Sequence, residues 1–196
     1  TNGIADAIYD VDKDEAITLL GNFNIGVDLT DWLTFDMRYS GQYNNFDSYS
    51  RGNPYYGGNA GSGILFVTNS QASNQNFLQM LRFNKSYGNH NIDAFVAHES
   101  TENKFTRISA GAENAILPNT FSLDQYTTPF GRASSYMQSW TLDSYFAQLN
   151  YNYNGKYYIS ASGRRDGSSR FKNNKWDTFG SVGLGWIASK EDFFPA

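Results

Sequence analysis

The side chains best able to do chemistry are few. Two histidines, His90 and His98, are present and cysteine is absent. Zinc and iron sites draw on several His, Cys or carboxylate donors at short, regular spacing, and neither histidine stands in such a pattern. Asp10, Asp12 and Asp14 begin like a calcium loop. The sixth position of that loop needs glycine and the twelfth a bidentate glutamate. Here those positions are Glu15 and Gly21, so the segment reads as a solvated acidic loop. No serine sits in a nucleophile elbow, and no glycine loop of the phosphate-cradling kind appears. The sequence therefore predicts neither catalysis nor a cofactor.

What the sequence does offer is hydrogen bonding and aromatic stacking. Asp36, Arg38, Gln42, Gln148, Asn150, Asn152, Ser160, Ser162 and Arg164 all fall at alternate positions of extended segments. They suit either a surface that grips a hydrophilic solute or simply a wet wall, and the wet wall is the plainer reading. Arg164, Arg165, Asp166 and Arg170 could brace a strand-to-loop junction as a charge network. Tyr49, Tyr55, Tyr56, Tyr126, Phe130 and Tyr136 fall in polar, turn-rich stretches. Aromatic faces there can stack on sugar rings, though loop packing or contact with a partner accounts for them equally well.

The elements that must hold these residues are strands. From Ile17 to Leu29 the odd positions are Ile17, Leu19, Gly21, Phe23, Ile25, Val27 and Leu29, opposite Thr18, Asn22, Asn24 and Asp28. That period of two marks a strand with one apolar face. The same alternation predicts strands over 33–43, 75–87, 92–103, 144–153, 157–165 and 177–188, about seven in all. Short turns at 30–32, 88–90 and 154–156 alternate with long polar stretches at 44–74, 104–140 and 166–176, within which Ile64 to Thr68 reads as a short loop strand.

Composition narrows the class. Aromatic residues make up 17% of the 196 residues and charged residues also 17%, the latter well under the roughly 25% of ordinary globular domains. No run approaches the roughly 18 apolar residues of a membrane helix. A net charge of −4 gives no basic patch for nucleic acid. Both a transmembrane β-barrel and a secreted carbohydrate-binding β-sandwich have such a composition. Connection lengths separate them, because outer-membrane barrels have short periplasmic turns and long external loops. By that rule the 17–29 strand runs inward and its neighbours alternate. Trp32, Trp140, Trp176 and Trp186 fall near strand ends, as an interfacial aromatic girdle requires. Seven strands cannot close a barrel that needs an even number from eight upwards. With no signal peptide at Thr1 to Asp10, the expectation is an antiparallel transmembrane β-barrel segment, spanning 1–196, of a longer chain.

The run SYFAQLNYNYNGKYYISASGRRDGSSRF at 144–171, followed by NNKWDTFGSVGLGW at 173–186, resembles the barrel of the SusC/RagA family of TonB-linked outer-membrane transporters. Gly180 stands where the family usually has proline, Gly163 where a larger apolar residue is common, and Ala188 to Glu191 reads ASKE where RISEE is typical. The resemblance implies energised uptake of oligosaccharides or peptides through the outer membrane of a Bacteroidetes-like Gram-negative cell. It implies a SusD-like surface lipoprotein as lid and the TonB complex as inner-membrane partner. It also implies a plug domain outside this chain, which polar wall residues would face.

Overall fold

The structure is a computed structural model that describes residues 3–193. A helix α1 (Gly3–Tyr9) is followed by β1 (Val11–Thr30), β2 (Leu33–Gly52), β3 (Ile64–Tyr87), β4 (His90–Ala115), β5 (Tyr126–Pro129), β6 (Ser134–Tyr153), β7 (Tyr157–Ser168) and β8 (Trp176–Trp186). They form one sheet in the order β1-β2-β3-β4-β6-β7-β8, with the short β5 paired to β4. The β6–β7 pair is antiparallel from Tyr153↔Tyr157 to Leu142↔Ser168, and β7–β8 from Tyr157↔Trp186 to Gly167↔Trp176. No second sheet packs against this one among the described residues, so the sandwich alternative does not hold.

The seven expected strands are present, in the expected order and with the expected tight turns, but most are much longer. β2 runs on to Gly52 and β3 begins at Ile64, so the predicted 44–74 loop shrinks to 53–63. Likewise the 104–140 stretch becomes the end of β4, a connection holding β5, and the start of β6. Ile64 to Thr68 is the start of β3, and the acidic 11–16 segment is strand rather than loop. The cause is physical. Apolar alternation marks a strand only where one face meets an apolar medium. Extended backbone with polar side chains on both faces leaves no such signature.

The chain divides into two compact units. One comprises Gly21–Gly41, Asn74–Asn103 and the chain from Trp140 onward, and holds the three tight turns. We call it the turn unit. The other, the loop unit, comprises the chain up to Leu20, Gln42–Ser73 and Lys104–Ser139, and holds the two longest connections.

In the turn unit, the β6–β7 connection shows why its residues were chosen. Asn154 and Gly155 have φ of 54° and 63°, the left-handed pair that a tight hairpin turn demands and that Asn-Gly meets at low cost. The Asn152 side chain accepts the Gly155 N–H at 2.8 Å, and the Asn154 N–H donates to the Asn89 carbonyl of the β3–β4 turn at 2.7 Å. Beyond β8, the Glu191 carboxylate accepts from the Tyr157 hydroxyl, from Trp186 Nε1 at 3.1 Å and from Lys156 Nζ at 3.1 Å. Lys190 Nζ donates to the Gly155 carbonyl at 3.0 Å. The segment after β8 is thereby tied to the hairpin turn.

The loop unit has the molecule's small core. Leu65 is fully buried, with Ala112 and Tyr126 beside it and Val67, Ala115, Phe121 and Leu123 around them. The 116–133 connection supplies Phe121, Leu123 and Tyr126 to this cluster, held by the β4–β5 ladder from Ala112↔Pro129 to Ala115↔Tyr126. Asn53 organises the other long connection. Its Oδ1 accepts the N–H groups of Tyr55 and Tyr56, while its own N–H and Nδ2 donate to Asp10 at 2.8 and 2.6 Å.

Candidate functional site: a polar sheet face and a set of loop aromatics

Alternation gives each strand of the turn unit a polar face. On it Arg82 Nε donates to Asp36 Oδ2 at 2.7 Å, with the Asp36 carboxylate mostly covered. Opposite charges across neighbouring strands are a favourable arrangement. Arg164 is the hub of a second group. Its Nε donates to both Asp166 oxygens at 2.7 and 2.9 Å, and its Nη2 donates to the buried Ser144 hydroxyl at 3.0 Å and lies 3.7 Å from Glu99. The guanidinium also covers the Phe146 ring, 4.8 Å from its centroid. Glu99 in turn accepts from Asn76 Nδ2 at 2.9 Å, which also reaches Thr101. A third group joins Gln148 to Asn150 at 3.2 Å, Asn150 to Asp93 at 3.4 Å and Asn84 to Asp93 at 3.2 Å. Between its members lies a depression of about 680 Å³, lined by Asn84, Asp93, Asn150, Tyr158 and Ser160 among others.

Of the predicted polar residues, the structure thus brings Asp36, Gln148, Asn150 and Arg164 into networks: Asp36, Asn150 and Arg164 bond to residues on other strands, and Gln148 joins through Asn150 on its own strand. Asn152 is spent on capping the β6–β7 turn. Arg38 is exposed and has no hydrogen-bond or ion-pair partner among the described residues. Gln42 lies in the loop unit, where it donates to Asn44, which also accepts from Thr18. Ser162 meets Ser181 across β7–β8 at 2.7 Å. The expected four-residue charge network does not form as one. Arg164 and Asp166 pair, but Arg165 sits on Trp176 and Arg170 on Trp140. Arg165 follows Arg164 in an extended strand, so the two side chains must leave by opposite faces.

Asn76, Arg82, Asn84, Asp93, Glu99 and Ser144 are the partners that sequence reading missed. Their signal was the same parity. Asn76, Arg82 and Asn84 occupy the even positions of β3, opposite Phe77, Leu81 and Phe83.

The aromatic candidates divide. Tyr49 lies on β2, not in a loop, with its ring edge-on to Phe121. Tyr126 is buried in the core cluster, and burial raises its phenol pKa above the ordinary value. Neither offers a free face. Tyr136 is likewise on a strand, β6. Tyr55 and Tyr56 do sit in the 53–63 connection, 56% and 50% exposed, and Tyr9 at the end of α1 stacks on Tyr56 at 5.4 Å and meets Tyr55 edge-on at 6.5 Å. Phe130 packs edge-on against Phe66 at 5.3 Å and stays partly exposed.

The opposite face of the turn unit is apolar and bare. Leu184 is 81% exposed and Val182 76%, and Phe23, Ile25 and Ile159 are also exposed. Monomeric soluble proteins rarely leave so continuous an apolar surface uncovered. A polar face opposite an exposed apolar one, on strands joined by tight turns at one end, defines the wall of an outer-membrane-type β-barrel.

No protein-family model matches the chain. Individual proteins do. The TonB-dependent receptor SusC of Bacteroides thetaiotaomicron is 34% identical over 146 residues, which is 74% of this chain and 14% of SusC. The TonB-dependent receptor P3 of Formosa agariphila is 29% identical over 98% of this chain and 20% of the receptor. In fold, the chain superposes on the RagAB peptide transporter with a TM-score of 0.84 at 22% identity, covering 95% of this chain and 21% of that one. The chain therefore spans a fifth or less of the length of the curated relatives it matches. It belongs to the SusC/RagA-like TonB-dependent receptors and corresponds to a part of their barrel.

Proposed function

We propose that the chain, over its whole length, forms wall and external loops in the barrel of an outer-membrane importer that takes up oligosaccharides or peptides. In this reading the plug and the TonB-contacting segment belong to parts of the protein outside 1–196, and a SusD-like lipoprotein covers the external opening. Asp36, Arg38, Gln148, Asn150 and Arg164 then face the aqueous lumen, where they bound the solute's path and meet the plug. Tyr55, Tyr56 and Phe130 are the loop rings left to meet cargo or lid. The segment does no chemistry. Its networks hold the wall rigid, and its polar surface keeps the path wet while energy arrives through the plug.

One observation carries this reading: charged and amide side chains are paired on one face while large apolar side chains are exposed on the other. A water-filled lumen and surrounding lipid satisfy both at once. The test uses the full-length protein in its native host. Deleting its gene should abolish energised accumulation of one labelled oligosaccharide or peptide class, and dissipating the proton gradient should stop uptake while leaving surface binding. Unchanged accumulation of every such solute after deletion would remove the proposal.

A further inference from the structure

The bare apolar face of the turn unit is not uniform. Ala94 on β4, Ala147 on β6 and Ala161 with Gly163 on β7 lie among larger neighbours such as Leu81 and Phe83, leaving a groove of about 530 Å³. That volume is within the roughly 300–1,000 Å³ of pockets that hold small ligands. At Gly163 the groove is open: an added Cβ would meet nothing within 4 Å, and the residue across the β7–β8 ladder is another glycine, Gly180.

One register step further along the same face, the Ala147↔Gly163 pair gives way to Tyr145↔Arg165. The Arg165 guanidinium lies 5.3 Å from the Trp176 ring centroid. Tyr145 is 6.1 Å from Trp176 and stacks on His98 at 4.7 Å. Asp143, the acid of this patch, lies 3.7 Å from His98 Nε2. Arg165 is exposed and has no carboxylate partner among the described residues.

A guanidinium without a counter-charge on a lipid-facing surface is costly near the bilayer centre and much less so at its margin. Its position on the strand puts it at the margin. Trp176 and Trp186 lie on one face of β8, ten residues apart. At about 3.3 Å per residue and a tilt of about 40°, that spacing rises about 25 Å, the height of a barrel's apolar band. Trp186 and Tyr157 mark the margin on the tight-turn side; Trp176, Tyr145 and Arg165 mark the other. The tight turns are periplasmic by the connection rule, so Arg165 faces the external leaflet.

We propose that this patch binds a phosphorylated glycolipid of the external leaflet, with its phosphate on Arg165 and one acyl chain in the groove beside Gly163. The inference rests on the outer-membrane reading above. The planar guanidinium matches phosphate with two parallel hydrogen bonds, and Trp176 and Tyr145 offer faces to the sugar.

The full-length protein, extracted from membranes and stripped of lipid in detergent, is titrated with bis-phosphorylated lipid A and followed by native mass spectrometry. The expected result is a discrete one-lipid adduct. It weakens about tenfold in Arg165→Gln, which removes a charge-assisted pair, and comparably in Gly163→Leu, which fills the groove. Both variants should keep the heat-resistant, fast-migrating barrel form on gels. Equal binding by the parent and both variants overturns the proposal. So does equal binding of fully dephosphorylated lipid A, or a preference for phosphatidylglycerol. Failure to recover the protein from the membrane fraction would instead remove the importer reading; recovery there with no adduct removes the lipid site alone.

Discussion

The loop unit and the turn unit are built from the same long strands and hold together differently. In the loop unit side chains bury one another: Leu65 is fully enclosed by Ala112, Tyr126 and the 116–133 connection. In the turn unit Ala97 is the one buried apolar side chain among the described residues, and large ones such as Leu184, Val182 and Phe23 point outward uncovered. There the backbone ladder and the polar networks supply the order, and lipid would supply the apolar burial. A sheet that borrows its apolar environment from the membrane can spend its other face on polar groups; one that stands in water has to build its own core.

That contrast can be broken by substitution, starting with the largest effect. Leu65→Ala should cost about 2–5 kcal/mol, the usual range for emptying a packed site. The loss should be local, read as faster amide exchange across 64–73, 104–115 and 126–129 with exchange across 74–87, 90–103 and 157–168 unchanged. Uniform loosening of both units would contradict the division. Next comes Ile25→Arg, expected to cost about 2–4 kcal/mol if its face meets the bilayer midplane. Urea titration of protein refolded into micelles measures it, and an unshifted midpoint would deny that face to lipid. Gly155→Val forces a β-branched residue to φ of 63° and should cost about 1–3 kcal/mol. Arg164→Met keeps the cover over Phe146 but removes the counter-charge of Asp166 and leaves Glu99 with Asn76 alone. Because these groups are partly exposed, the expected loss is only about 1 kcal/mol.

The smallest effect concerns pH. Hydrogen bonds from Tyr157, then Trp186 and Lys156, hold the Glu191 carboxyl below its ordinary pKa. A depressed acid pKa stabilises the fold above the unfolded-state value, and that contribution fades as pH falls through the folded one. The tie between the β6–β7 turn and the segment after β8 should therefore loosen only in acid, below the usual glutamate range. Amide exchange at Gly155 and Ile187 across that range measures it; Glu191→Gln should flatten the response.

How far the sequence could be read follows the same division. Where one face of a strand is apolar, as in 17–29 or 144–165, alternation located the strands and their turns, and Asn154-Gly155 fixed a hairpin. Where the strands continue with polar residues on both faces, as in 44–52 and 104–115, the signal vanished and extended backbone read as loop. The candidate site was legible by parity, which picked out Asp36, Gln148, Asn150 and Arg164. Pairing was not legible. That Asp36 meets Arg82, or Arg164 meets Glu99, depends on register between strands distant in sequence, which no local pattern encodes. Tyr126 was misplaced for a related reason: polar neighbours on both sides conceal a residue that β5 folds into a core.

The most direct test of the two-faced wall uses single cysteines along β1 on a cysteine-free background, helped by the absence of cysteine from this chain. Asn22→Cys, Asn24→Cys and Asp28→Cys alternate with Phe23→Cys, Ile25→Cys and Val27→Cys in the full-length protein in intact membranes. A charged, membrane-impermeant maleimide should label the first set and spare the second, while a lipid-soluble quencher should affect only probes on the second. Equal labelling of neighbouring positions, with no period of two, would contradict the account.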